Sequence, residues 1–125
     1  MKSWHHHTIR ESLLSALRGL LIVVRTERNA RIIFLIGFAV YVFAIWLRCS
    51  LLEMVILLLV ILTVFVSEVF NTVVEYLCDM INPETDPRIK IIKDIASGAV
   101  LVVCAGAICV GILLFLPRIL AITLP

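Results

Sequence analysis

The sequence predicts an all-α membrane protein: three transmembrane helices preceded by an N-terminal amphipathic surface helix. Composition is the first reason. The 125 residues are 62% hydrophobic with a mean hydropathy of +1.14, whereas soluble domains are roughly half apolar. A soluble fold of this size lacks the interior to hide so much apolar side chain, so lipid must solvate much of the surface. The second reason is the presence of three long apolar runs, each near the length that crosses about 30 Å of hydrocarbon. The third is charge distribution. Lys2, Arg10, Arg18, Arg25, Arg28 and Arg31 precede the first run, Arg48 alone separates the first two, and Arg88, Lys90 and Lys93 separate the last two. The positive-inside rule then puts the N-terminus and the 79–94 loop in the cytoplasm, with the 48–53 turn and Arg118 outside.

The elements follow in order, as one domain over 1–125 without an internal repeat. His5, His6 and His7 adjoin one another, which is poor spacing for a metal site on a helix face and reads as a solvated tail. Residues 8–26 form the surface helix. Arg10, Glu11, Ser15, Arg18 and Arg25 share one side, and Ile9, Leu13, Leu17, Leu20 and Val24 share the other. The first span covers about 30–47, with Tyr41 and Trp46 as interface anchors. The turn Arg48-Cys49-Ser50 is short enough to make a helical hairpin. The second span covers about 51–81, since no Gly or Pro interrupts it before Asn82-Pro83. Pro83 and Pro87 argue against helix through the loop. The third span covers about 95–116, closed by Pro117, and its Ala96, Ser97, Gly98, Gly106 and Gly111 suit close helix approach in lipid. Cys49, Cys78, Cys104 and Cys109 form no CxxC pair and read as small apolar fillers rather than a disulfide framework. No secretory signal is expected, because the first long apolar run starts late and lacks a cleavage site.

The segment SEVFNTVVEYLCDM follows the apolar block MVILLLVILTVFV. Its Glu68, Asn71, Glu75 and Asp79 step by three, four and four residues, which sets them within an arc of about 80° on a helix. Counted from Glu53 at the opposite end, Glu68 lies about 22 Å away and Glu75 about 33 Å. The acids therefore appear where the helix leaves the membrane. Carboxylates near hydrocarbon are costly and point to function, although a helix stop whose polar face meets water would look the same.

Glu27, in VRTERNARI, and Lys93-Asp94, at the start of the third span, belong to the same layer. Hard oxygen donors with open positions suit Mg²⁺ bridging phosphates. A carboxylate at the membrane edge can take a proton from a lipid hydroxyl. Together these describe phosphoryl transfer, in which positioning and charge stabilisation dominate. No GxxxxGK[ST] loop is present, so a nucleotide site would not be a P-loop. Two other classes stay open. A small multispan transporter would explain Glu68 but not Glu27 or Lys93-Asp94; a nonenzymatic scaffold would use the stripe as an oligomer contact.

SEVFNTVVEYLCDM followed by KIIKDIASGAVL resembles the signature ExxNTxxExxxD…KDxxxGAV of the prokaryotic diacylglycerol kinase family, which includes undecaprenol kinases. ALRGL and RTERNARI resemble its N-terminal block, so the likeness spans roughly 12–116. It implies a bacterial inner-membrane, multi-pass lipid kinase that uses ATP and Mg²⁺ to phosphorylate diacylglycerol or undecaprenol. It also implies a homotrimer with shared sites and no nucleic-acid partner. Carried over residue by residue, Glu68 is the catalytic base, and Glu27 and Glu75 bind the metal. Asn71, Asp79, Glu84, Lys93 and Asp94 serve nucleotide binding or site architecture, and Ser97-Gly98 allow close backbone approach. Two positions differ from many relatives: Asp86 stands before Pro87 where they carry His, and Ile33 stands where some carry a second acid.

Overall fold

The structure, a computed structural model, describes residues 8–81 and 86–123. His5, His6, His7, Asn82, Pro83 and Glu84 lie outside the described residues. Four helices follow in order: α1 (Ile9–Thr26), α2 (Arg28–Trp46), α3 (Leu51–Ile81) and α4 (Pro87–Thr123). Among the described residues there is no strand. The last three helices are each long and apolar enough to cross a membrane.

Local chemistry sets the helix ends. Thr8 and Glu11 form a capping box at the start of α1: the Thr8 hydroxyl accepts from the Glu11 N–H at 3.3 Å, and the Thr8 N–H donates to the Glu11 carboxylate at 2.9 Å. One extended residue, Glu27 (φ −96°, ψ 116°), separates α1 from α2. Its N–H still donates to the Val23 carbonyl at 2.8 Å, but its carboxylate makes no cap bond to α2.

At the other end of α2, Arg48 takes the left-handed conformation (φ 54°). The Arg48 N–H donates to Ile45 and the Cys49 N–H to Ala44, which closes α2 with a Schellman motif at a position glycine usually fills. Ser50 then caps α3. Its N–H donates to Glu53 Oε2 at 2.6 Å, its hydroxyl donates to the same oxygen at 2.7 Å, and its Oγ receives the Glu53 N–H at 3.4 Å.

The α2–α3 contact is a seam of residues spaced by seven. Ala30, Gly37 and Ala44 are the buried residues of α2; Leu57, Val64, Asn71 and Cys78 are buried at the same spacing on α3. A seven-residue repeat keeps two helices in register through a slight left-handed supercoil. Small side chains on α2 allow the close approach: a Cβ at Gly37 would sit 2.6 Å from Ile61 Cγ2.

α4 packs along α3 yet has no buried residue. The helix extends past both ends of the span expected over 95–116. Pro87 begins α4 rather than excluding helix, because the first helical position needs no N–H donor. Asp86 caps it, accepting the Arg88 N–H at 2.8 Å. Pro117 lies inside the helix and does not close it. Membrane helices tolerate such a proline where neighbouring groups satisfy the freed carbonyl. Among the described residues, nothing lies within 4 Å of a Cβ built at Gly98, Gly106 or Gly111. An apolar groove of about 630 Å³ runs between α2, α3 and α4, lined by residues such as Ile33, Val64, Ala107 and Phe115. All four cysteines are free thiols.

Candidate active site

The polar ridge of α3 grades from buried to exposed. Glu68 is 5% exposed and Asn71 8%; Glu75 is half-buried and Asp79 exposed. The cause is the antiparallel α2–α3 register. The seam that sets Gly37 against Ile61 brings the start of α2 opposite Glu68 and Asn71. Farther along, α3 outruns α2.

The side chains at this end converge. The Asn29 side-chain amide hydrogen-bonds the Glu68 carboxylate, and Glu27 and Glu75 both lie within electrostatic reach of it. Asn71 Nδ2 donates to Glu75 Oε1 at 3.1 Å, while the buried Asn71 Oδ1 has no hydrogen-bond partner among the described residues. Tyr76, one residue past Glu75, donates its hydroxyl to Glu27 Oε1 at 3.1 Å and lies 3.1 Å from the Thr26 hydroxyl. Lys93 Nζ donates to Asp79 at 2.6 Å, pairing α4 with the exposed end of the ridge, and its charge also reaches Glu75.

Of the residues singled out from sequence, Glu27, Glu68, Asn71 and Glu75 thus gather as one group, and Asp79 and Lys93 adjoin it as an ion pair. Asp94 is exposed on α4 beside Lys93. Glu84 lies outside the described residues. Among the described residues, no three of His, Cys, Asp and Glu close into a metal cage. Sequence reasoning missed Asn29, Tyr76 and Thr26. Asn29 had a signal, standing two residues after Glu27 in RTERN. Tyr76 had none, because it falls beside the polar arc and reads as one more apolar contact.

Chemically, the cluster concentrates negative charge. Glu27 and Glu75 act electrostatically on the buried Glu68, and among the described residues neither Glu68 nor Glu27 has a cationic partner. Such a group suits a cation, since like charges brought together repel. The Asn71 Oδ1 beside it, without a partner among the described residues, adds a hard oxygen donor.

Comparison with known proteins gives the family. Residues 14–115 match the family described as prokaryotic diacylglycerol kinase. The undecaprenol kinase of Bacillus subtilis is 34% identical over 109 residues, covering 87% of this chain and 89% of that protein. A diacylglycerol kinase of Synechocystis is 35% identical over 98 residues, covering 78% of this chain and 56% of that protein. The family match takes in the whole acidic ridge, the hinge at Glu27 and Lys93-Asp94, and on that ground the chain belongs to the prokaryotic diacylglycerol kinase family of lipid kinases.

Proposed function

We propose that this chain transfers the γ-phosphate of ATP to the hydroxyl of a membrane lipid alcohol, with undecaprenol the first candidate and diacylglycerol the second. The observation that carries the reading is the buried Glu68 carboxylate, held by an amide and ringed by Glu27 and Glu75, at the end of a membrane-crossing helix. A transporter or scaffold would not need the Asp79–Lys93 pair beside it. Undecaprenol comes first because the likeness to the Bacillus subtilis kinase extends over 89% of that protein. Diacylglycerol follows from the likeness to the Synechocystis protein, just over half of which is matched.

Glu68 takes the proton of the lipid hydroxyl as its oxygen attacks the γ-phosphorus in line. The bond to the β–γ bridging oxygen breaks and ADP leaves. Asn29 holds Glu68 in a single orientation, so the base is aimed before the lipid arrives. Lys93, kept at the edge by Asp79, faces the phosphate chain. The donor set fits Mg²⁺: Glu27 and Glu75 would hold it, and the free Asn71 Oδ1 offers a third hard oxygen. When bound, Mg²⁺ neutralises charge on the transferred phosphate. That one or two carboxylates with substrate phosphates suffice for Mg²⁺ explains why a closed cage is not needed.

The acidic end faces the cytoplasm in this reading, as the arginines of α1 and the start of α2 favour. The chain acts as a homotrimer in a bacterial inner membrane. An α4 without a buried residue supports partner helices. The test is direct: purified chain in mixed micelles receives radiolabelled ATP with undecaprenol or with diacylglycerol. Labelled polyprenyl phosphate forming faster than labelled phosphatidic acid is expected. The reverse order would change the substrate, and no labelled lipid from either would refute the kinase reading.

A further inference from the structure

We propose that Tyr76 is a positioning residue for Glu27, holding the carboxylate at the α1–α2 hinge against α3 so that one oxygen stays free for a divalent cation. The inference rests on the metal role given to Glu27 above and adds a residue outside the polar ridge. Glu27 occupies the single extended residue between two helices, and no cap bond restrains its side chain. A glutamate so placed has several rotamers to lose before it can act at a fixed point. Tyr76 removes that freedom. Its one hydroxyl proton goes to Glu27 Oε1 at 3.1 Å. The Thr26 hydroxyl lies 3.1 Å from the Tyr76 hydroxyl and 3.3 Å from Glu27 Oε1, with the Ile22 carbonyl as its nearest acceptor at 3.0 Å. Tyr76 from α3 and Thr26 from α1 both engage Oε1, and among the described residues Oε2 is left without a hydrogen bond.

Tyr76 stands next to Glu75 on α3, so the contact also draws the hinge to the ridge. Metal-ligating carboxylates are commonly oriented by such hydrogen bonds. The tyrosine is 43% exposed, and removing its hydroxyl leaves the ring to pack as before.

The experiment measures Mn²⁺ binding by electron paramagnetic resonance. The full chain is held in detergent micelles with a non-hydrolysable ATP analogue. Wild type, Tyr76→Phe and Glu27→Gln are compared, with unfolding temperatures and metal-dependent kinase rates measured alongside. Tyr76→Phe is expected to weaken Mn²⁺ binding about tenfold. It should raise the metal concentration for half-maximal rate, with the rate recovering as metal is added and the unfolding temperature unchanged. Wild-type Mn²⁺ affinity in Tyr76→Phe, with Glu27→Gln defective, overturns the positioning role and leaves Glu27 as a ligand. Wild-type affinity in both variants overturns the metal assignment and this inference with it.

Discussion

Glu53 and Glu68 stand on the same helix, each near one end of the membrane-crossing stretch, and they live in opposite surroundings. Glu53 is enclosed by donors: the Ser50 N–H and hydroxyl bind one carboxylate oxygen, and the Arg118 guanidinium of α4 pairs with that same oxygen. Arg118 also reaches the Leu47 and Arg48 carbonyls at 3.4 Å, tying α4 to the hairpin turn. Glu68 has an amide and two like charges. A carboxylate whose oxygen is held by neighbouring donors fastens structure; one left in a field of its own sign does not. Charge and distance from hydrocarbon alone would have ranked the two acids alike.

The largest effect should come from Glu68. Glu68→Gln keeps the shape and removes the base, so phosphorylation should fall by about 10²–10⁴-fold. The unfolding temperature should hold or rise, because the change relieves repulsion with Glu27 and Glu75. Near-normal labelling of lipid by this variant would erase the contrast between the two acids and, with it, the base assignment.

Next comes the seam that carries Glu68. A Cβ at Gly37 has no room, so Gly37→Val must push α2 from α3, at about 1–3 kcal/mol for overpacking. Stability and kinase rate should fall together, because the displaced helix also carries Asn29 and Glu27. An unfolding temperature equal to wild type would mean that the helices part without cost and that Gly37 does not set their spacing.

Much of this architecture could be read from the chain itself. The unbroken apolar run from Leu51, ended by Asn82-Pro83, gives α3 as observed, and the three-four-four step of the ridge gives one shared face. The bounds of α4 are less legible. Pro87 argues against helix yet begins α4, because the first helical position suits proline, and Pro117 reads as a stop yet is absorbed inside the helix. Small residues also line part of the third span, but the close contact between α2 and α3 uses Ala30, Gly37 and Ala44. Their seven-residue spacing was visible but needed a partner helix to give it meaning. Asn29 and Tyr76 depend on which residues of separate helices meet, and no single-helix wheel contains that.

The hairpin end gives a smaller effect of the opposite kind. Glu53→Gln weakens the ion pair with Arg118, and Arg118→Met removes it. Each should lower the unfolding temperature by a few degrees, as expected for a modest loss in a domain of this size, with lipid phosphorylation unchanged. A double variant no worse than either single would show that the two groups act as one contact. A loss of kinase rate without a loss of stability would instead tie this end to the chemistry.

The smallest effect belongs to Asp86, an acid again fastened locally, now outside the membrane. The Arg88 guanidinium, at 2.9 Å, and then the Arg88 N–H hold its carboxyl below the ordinary aspartate value of about 3.9. A carboxylate whose folded value is depressed contributes stability above its unfolded pKa and loses it as pH falls through the folded one. Asp86→Asn keeps a capping side chain at the start of α4 but discards the charge. Wild type should therefore unfold slightly later than Asp86→Asn at neutral pH, and the gap should close on acidification below the aspartate range. A gap that does not change with pH would place the advantage in capping geometry alone and remove charge from the account of why this loop carries Asp.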